Sequence, residues 1–327
     1  MRFSFILPVR NGGEYIKECV ASILAQTLQD FNLIILENCS TDGTAEWLQT
    51  LTDERIIIIP AEKPLSIEEN WARILAVPKN EFMTMTGHDD LFDKNYLQVM
   101  SDLIDQYPDA SLYQTHFEYV DKDGKFITNC LPMDEQQFSH EFLACFMCRT
   151  INSTGTGYLM RSKDYNENGG LSKEYPNLIF ADYALWIDIS LLSFKATSPY
   201  KTFKYRIHNS ISKTTNGEEY QKAFEVFLNF LIQRKQNEKI KMVIERYGKE
   251  MLLYHCESLS HRILKTPVAN RKIAVKEFIE KCKQYAETLI PGQHFQPLKI
   301  FRIKIAEIFD RSSFNRSFFK IYKKLSS

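Results

Sequence analysis

The stretch Gly87-His88-Asp89-Asp90 closes the apolar run Phe82-Met83-Thr84-Met85. Two adjacent carboxylates at the mouth of a buried strand repel each other, and each raises the other's pKa. A hard divalent cation, Mn²⁺ or Mg²⁺, removes that conflict. Such ions are held through one or two carboxylates and completed by phosphate oxygens. The competing reading is a helix cap, because Asp89 and Asp90 also open the amphipathic run DDLFDKNYLQVMSDLI. Upstream, Ser40-Thr41-Asp42-Gly43-Thr44 reads by itself as a turn and helix start.

The surrounding pattern says how these residues are positioned. FSFILPV, NLIILEN, RIIIIPA and EFMTMTG read as short buried strands. Between them, GEYIKECVASILAQT, TDGTAEWLQTL and SIEENWARILAV have helical spacing, the last opening with a capping box at Ser66 and Glu69. This alternation predicts a largely parallel sheet covered by helices on both faces. Ligands of such sheets bind at the carboxyl ends of the strands. Pro8-Val9-Arg10-Asn11, Glu37-Asn38 and Asp89-Asp90 all fall there, so three polar clusters converge on one edge. Further on, ASLYQTHFEYVDKDGKFI reads as a hairpin around Asp123-Gly124, YALWIDISLLSF as a helix and SPYKTFKYRIH as a late strand. Beyond residue 214 the chain reads as helices near 218–236, 238–264 and 268–289.

Composition bounds the answer. The 327 residues are 44% hydrophobic, without repeats or Gly/Ser-rich tracts, so the chain can bury a full core. Net charge is zero, yet residues 1–213 carry 19 Lys+Arg against 29 Asp+Glu, while residues 214–327 carry 22 against 12. That change of sign sets an expected boundary between a 1–213 domain and a basic, helical 214–327 region. Seven scattered cysteines include one close pair, Cys145 and Cys148, with no second pair or His cluster to complete a zinc site. Reduced thiols in a cytosolic protein are expected. The apolar run near the N-terminus is too short for a signal peptide, and no segment reaches the length of a membrane span.

Taken in order, Pro8-Val9-Arg10-Asn11, Gln26-Thr27, Glu37-Asn38-Cys39-Ser40-Thr41-Asp42-Gly43-Thr44, Asn70-Trp71-Ala72-Arg73 and Gly87-His88-Asp89-Asp90 resemble the motifs of glycosyltransferase family 2. The resemblance covers about residues 3–212. It implies the GT-A fold, an α/β nucleotide-binding sheet flanked by helices and joined to an acceptor-binding half. It also implies a nucleotide-sugar donor whose diphosphate is bridged to Asp89 and Asp90 by Mn²⁺ or Mg²⁺. On the family pattern Pro8, Val9, Arg10, Asn11 and Glu14 border the base and ribose. Glu37 and Asn38 face the base, and Asn70 and Arg73 the nucleotide. Asn38 stands where the family often has a second acid, and its carbonyl can still accept from an imide N–H; UDP is the expected nucleotide. Gly87 stands where many members have the first acid of D-x-D, so the metal is expected to rest on Asp90.

The stretch from Ser153 to Ser190 resembles the acceptor region of the same family, with Ala181 in place of the first acid of its closing pair. Asp182 is then either a helix cap or the general base of an inverting displacement, taking the proton from an acceptor hydroxyl. Tyr205-Arg206-Ile207-His208-Asn209-Ser210-Ile211-Ser212 resembles a further family segment, which makes His208 a metal ligand or a diphosphate contact. The acceptor implied is a saccharide or lipid-linked hydroxyl in cell-surface polysaccharide assembly. A catalytically silent GT-A-like binding protein is the alternative, raised by Gly87 and Ala181.

The last stretch, PLKIFRIKIAEIFDRSSFNRSFFKIYKKLSS, has eight Lys/Arg against two acids among Ile, Phe and Leu. It reads as a core-packing helical hairpin with a solvated basic face, or as a peripheral contact with anionic lipid at the inner face of the cell membrane. Nucleic acid is not expected, since no binding module accompanies these residues. Dinucleotide-binding and P-loop enzymes are excluded: neither G-x-G-x-x-G nor G-x-x-x-x-G-K-[ST] occurs at the first turn or elsewhere.

Overall fold

The computed structural model describes residues 1–208, 215–267, 269, 271–312 and 314–317. Ser210, Ser212 and residues 318–327 of the basic C-terminal stretch lie outside the described residues. The chain divides into two compact units. The first comprises residues 1–142, 150–173 and 181–210; the second comprises 143–149, 174–180 and 211–327.

In the first unit β1 (Phe3–Val9), α1 (Gly13–Leu24), β2 (Phe31–Glu37), α2 (Thr44–Leu48), β3 (Ile56–Pro60), α3 (Ile67–Ala72) and β4 (Phe82–Met85) alternate as the apolar periodicity requires. Strands β3, β2, β1 and β4 lie side by side and parallel. Every residue of β1 is buried, as expected of a strand covered on both faces. Phe5 meets Phe31 and Phe92 edge-on, and α1 lays Ile16, Cys19, Val20 and Ile23 into the same cluster. The Ser66 capping box is formed: its hydroxyl accepts from the Glu69 N–H at 3.2 Å, and the Glu69 carboxylate accepts from the Ser66 N–H at 2.9 Å.

The chain continues through β5 (Leu91–Phe92), α4 (Tyr96–Gln106), β6 (Leu112–Val120), β7 (Phe126–Asn129), β8 (Gln136–Gln137), α5 (Ser139–Cys148), β9 (Tyr158–Arg161), α6 (Ser162–Glu167), α7 (Ala181–Leu192) and β10 (Lys195–Arg206). The expected hairpin is present, β6 and β7 pairing antiparallel around Gly124 at φ +76°. Among the described residues ten strands form one sheet. Its second half is mixed: β9 runs antiparallel to both β4 and β6, and β10 parallel to β6. The parallel expectation rested on the first four strands, which are parallel; beyond them apolar alternation fixes which residues face the core but carries no information about strand direction. Helix α7 is apolar nearly all round and buried, and Trp186 stacks on Tyr158 at 4.3 Å while donating to the Thr154 carbonyl.

The second unit is helical: α8 (Gly217–Arg234), α9 (Glu238–Lys265), α10 (Val275–Leu289) and α11 (Phe301–Asp310). Asn216 and Asn237 cap α8 and α9, each side-chain oxygen accepting from two backbone N–H groups. Phe180 stacks on Phe227 at 5.2 Å, so residues 174–180 furnish part of this unit's own core. Among the described residues no helix is long and apolar enough to cross a membrane.

Candidate active site

The turns after β1 and β2 are laced together. The Asn11 N–H donates to the Ser40 hydroxyl at 2.9 Å, and the Asn11 side chain accepts from the Thr41 N–H at 2.8 Å. The Gly12 N–H donates to Thr44 Oγ1 and the Gly13 N–H to Asp42 Oδ2. Asn11 at φ +55° and Gly13 at φ +53° make the left-handed turn that this lacing needs. Pro8 and Val9 are buried at the end of β1, and the Val9 carbonyl accepts from the Asn38 N–H. Arg10 is exposed and reaches the Leu65 carbonyl, while Glu14 is exposed and pairs with Lys17 at 2.6 Å.

Four residues expected to touch nucleotide also make hydrogen bonds within the chain. The buried Asn38 amide grips the Leu65 peptide both ways, donating to its carbonyl at 3.0 Å and accepting from its N–H at 2.8 Å. The buried Glu37 carboxylate accepts from the Cys39 and Ser40 N–H groups at 3.1 and 2.6 Å. Arg73 donates to the carbonyls of Glu37 and Ile59 and to the side chain of Asn70, which is itself buried. These bonds satisfy backbone carbonyls and N–H groups around the ends of β2 and β3, as burial requires. They fix the shape of the edge.

Asp89 and Asp90 lie in a turn between β4 and β5, and α4 begins only at Tyr96, so the helix-cap reading is overturned. The two acids differ sharply. Asp90 is 2% exposed; its Oδ2 accepts from the Thr156 hydroxyl at 2.6 Å and its Oδ1 from the Arg206 N–H at 3.2 Å. Burial, followed by the charge of Asp89, pushes the Asp90 carboxyl well above its usual pKa. Asp89 remains partly exposed and meets His208 Nε2. Burial opposes its ionisation, but that hydrogen bond and the nearby His88 and His208 imidazoles hold it below the usual value. The sequence reading coupled Asp90 with His208 as metal ligands; in the structure His208 meets Asp89, and Asp90 is enclosed by its own hydrogen bonds. Gly87 is also explained, since a Cβ there would lie 2.6 Å from Asp89 Oδ1.

Beneath this turn lies Arg206, whose side chain is fully buried. Its guanidinium donates to the Asp89 carbonyl, the Lys122 carbonyl and, at 2.5 Å, the Glu18 carboxylate, and it covers the Tyr15 ring at 4.5 Å. Glu18, Tyr15 and Thr156 carried no signal in the sequence, and Arg206 was visible only as part of a motif. Asp182 stands in the first turn of α7, accepting from its own and the Tyr183 N–H groups, and burial raises its pKa to about 6. Gly155 faces it: a Cβ there would meet Asp182 Oδ2 at 3.6 Å. Burial, followed by the charges of Asp90, Asp89 and Asp182, drives the pKa of the Tyr205 phenol upward. The site therefore holds a partly exposed carboxylate–imidazole pair and a separate carboxylate whose pKa burial raises to about 6. The Asp89 carboxylate offers the anionic oxygen that a hard cation takes, and the His208 imidazole adds a borderline nitrogen that Mn²⁺ accepts more readily than Mg²⁺. Among the described residues no cluster of three or more His, Cys, Asp or Glu is arranged to hold a metal.

The model of the family described as glycosyl transferase family 2 matches residues 4–167, half of the chain. TuaG of Bacillus subtilis, named for teichuronic acid biosynthesis, is 24% identical over 68% of this chain and 86% of its own length. Several other curated glycosyltransferases are matched over only 34–42% of their length. Among solved structures, S. aureus TarS 1–349 in complex with UDP-GlcNAc superposes with a TM-score of 0.69 at 12% identity, covering 99% of this chain and 92% of that one. The mannosyltransferase PcManGT from Pyrobaculum calidifontis, in complex with GDP-Man and Mn²⁺, gives 0.53 at 12% identity, over 95% and 88%. At such identities the likeness is one of fold.

Proposed function

Because this chain belongs to glycosyl transferase family 2 and has the GT-A fold, we propose that it is an inverting transferase moving a sugar from a UDP-sugar to a hydroxyl of a saccharide or lipid-linked acceptor. The setting we propose is cell-surface polysaccharide assembly, in keeping with the name of TuaG. One observation carries the mechanism. Thr156 donates to Asp90 and a Cβ on neighbouring Gly155 would meet Asp182, so one dipeptide lies between two acidic groups whose pKa values are both raised.

Asp182, ionised above about pH 6, takes the proton of the acceptor hydroxyl as that oxygen attacks the anomeric carbon. The bond from that carbon to the diphosphate breaks on the opposite face, and the configuration inverts. Asp89 and His208 would hold Mn²⁺ or Mg²⁺, with Asp90 and Arg206 fixing the turn that presents Asp89. The cation supplies neutralisation of charge building on the departing diphosphate. Pro8, Val9, Arg10 and Asn11 border the base and ribose, and Glu37, Asn38, Asn70 and Arg73 support that wall from behind. Of the two departures that raised a catalytically silent protein, Gly87 is accounted for by the approach of Asp89.

A thermal-shift panel of UDP-, GDP- and dTDP-sugars with and without Mn²⁺ tests the reading. A Mn²⁺-dependent rise in Tm with UDP-sugars is expected. No response to any nucleotide sugar would overturn it.

A further inference from the structure

The basic C-terminal stretch has no part in the transfer chemistry, and its described portion has an unusual surface. Helix α11 turns Ile303, Ala306, Glu307 and Asp310 inward. Both of its acids are thereby removed from the surface: Glu307 pairs with Arg311, and Asp310 pairs with Arg271 and accepts from the Val275 N–H. The outward face is apolar where a solvated helix would be polar. Phe301 is 73% exposed and Ile308, two turns along, 40%; Leu298 before the helix and Phe314 after it are exposed too. Lys299, Arg302, Lys304 and Arg311 surround this row and are all exposed; Arg302 pairs with Glu257 at 3.1 Å and Arg311 with Glu307, so the charge offered outward rests chiefly on Lys299 and Lys304.

We propose that the turn at Pro297–Lys299 and helix α11 form a face that lies on an anionic lipid bilayer. Aromatic and aliphatic side chains among exposed cations, with the acids withdrawn, are what a surface-lying helix needs: apolar groups enter the acyl boundary while ammonium and guanidinium groups meet lipid phosphates. A second protein copy is a poorer occupant, because this face would bring like charges together. The inference concerns the helical unit's own surface and stands apart from the proposed transfer reaction.

Sedimentation of the full chain with vesicles tests it. Phosphatidylcholine vesicles containing phosphatidylglycerol should carry the protein down, and phosphatidylcholine alone should not. Raising salt should release it, since surface attraction is screened within about 10 Å at 0.1 M. Phe301→Ser combined with Ile308→Ser should lower the partition coefficient at least tenfold. Lys299→Gln and Lys304→Gln, both at exposed positions that folding does not depend on, should each lower it about fivefold. Donor-induced Tm shifts should be the same in all variants, which separates failure of this inference from failure of the transfer reading. Equal binding to neutral vesicles, no sedimentation at all, or Gln variants that partition like the parent would overturn the proposal. So would light scattering that shows the Ser variant converting an oligomer to monomers.

Discussion

Asp90 and Asp182 flank one dipeptide: Thr156 donates to Asp90 at 2.6 Å, and a Cβ on the adjoining Gly155 would lie 3.6 Å from Asp182 Oδ2. Asp90 is sealed, whereas Asp182 is held only by two N–H groups of its own helix turn. Asp182→Asn keeps the shape and those contacts but removes the proton acceptor. Turnover should fall by about 10²–10⁴-fold, the usual worth of a general base. Donor affinity measured by calorimetry should stay within about twofold. A mutant with near-parental turnover refutes the base assignment.

The pH profile follows from the same residue. Burial raises the Asp182 pKa to about 6, so the group is protonated below that value and idle as a base. In the free enzyme kcat/KM should therefore rise with pH and reach half its plateau near pH 6. Linkage has the opposite sign. A carboxyl whose folded pKa is raised favours the folded state at low pH, and that contribution is lost as pH rises through about 6. Asp182→Asn should accordingly lessen any loss of Tm between pH 5 and pH 7. A profile flat from pH 5 to pH 8 would remove Asp182 from the rate equation.

His208→Ala tests the cation pair. Asp89 loses the imidazole that holds its carboxyl down, and the site loses its nitrogen ligand. Mn²⁺-dependent UDP binding should weaken by at least tenfold, on the scale of even indirect losses at metal sites. Metal-free binding should change little. Equal weakening with and without Mn²⁺ would assign His208 to direct nucleotide contact.

Thr156→Val leaves Asp90 Oδ2 without its donor in a buried place. An unsatisfied buried acceptor costs about 1–3 kcal/mol, so Tm should drop measurably. Because the hydroxyl also lowers the Asp90 pKa, its removal should raise that pKa further. An unchanged Tm would mean that Asp90 does not depend on Thr156.

The four parallel strands, their helices, the capping box and the β6–β7 hairpin were legible because each writes a local period or spacing into the chain. The reversal of β9 was not, since alternation is blind to direction. Site legibility stopped at a different point. Residue type says that Glu37, Asn38, Asn70 and Arg73 need partners, but not whether the partner is a ligand or the chain's own backbone. Arg206 and Glu18 are 188 residues apart, so their contact leaves no local pattern. Asp89 and Asp90 look alike in sequence, and only burial separates the sealed acid from the available one.

Asn38 gives the cleanest test of that lesson. Its amide donates to and accepts from one peptide group, at Leu65, a match that neither a carboxylate nor a methyl can reproduce. Asn38→Asp replaces the donating nitrogen with an oxygen facing the Leu65 carbonyl, and Asn38→Ala removes both bonds. Each should cost about 1–3 kcal/mol, read as a lower Tm. The ratio of UDP- to GDP-sugar affinity should be unchanged in both. A shifted nucleotide preference at constant Tm would return Asn38 to the base-reading role and make its grip on Leu65 incidental.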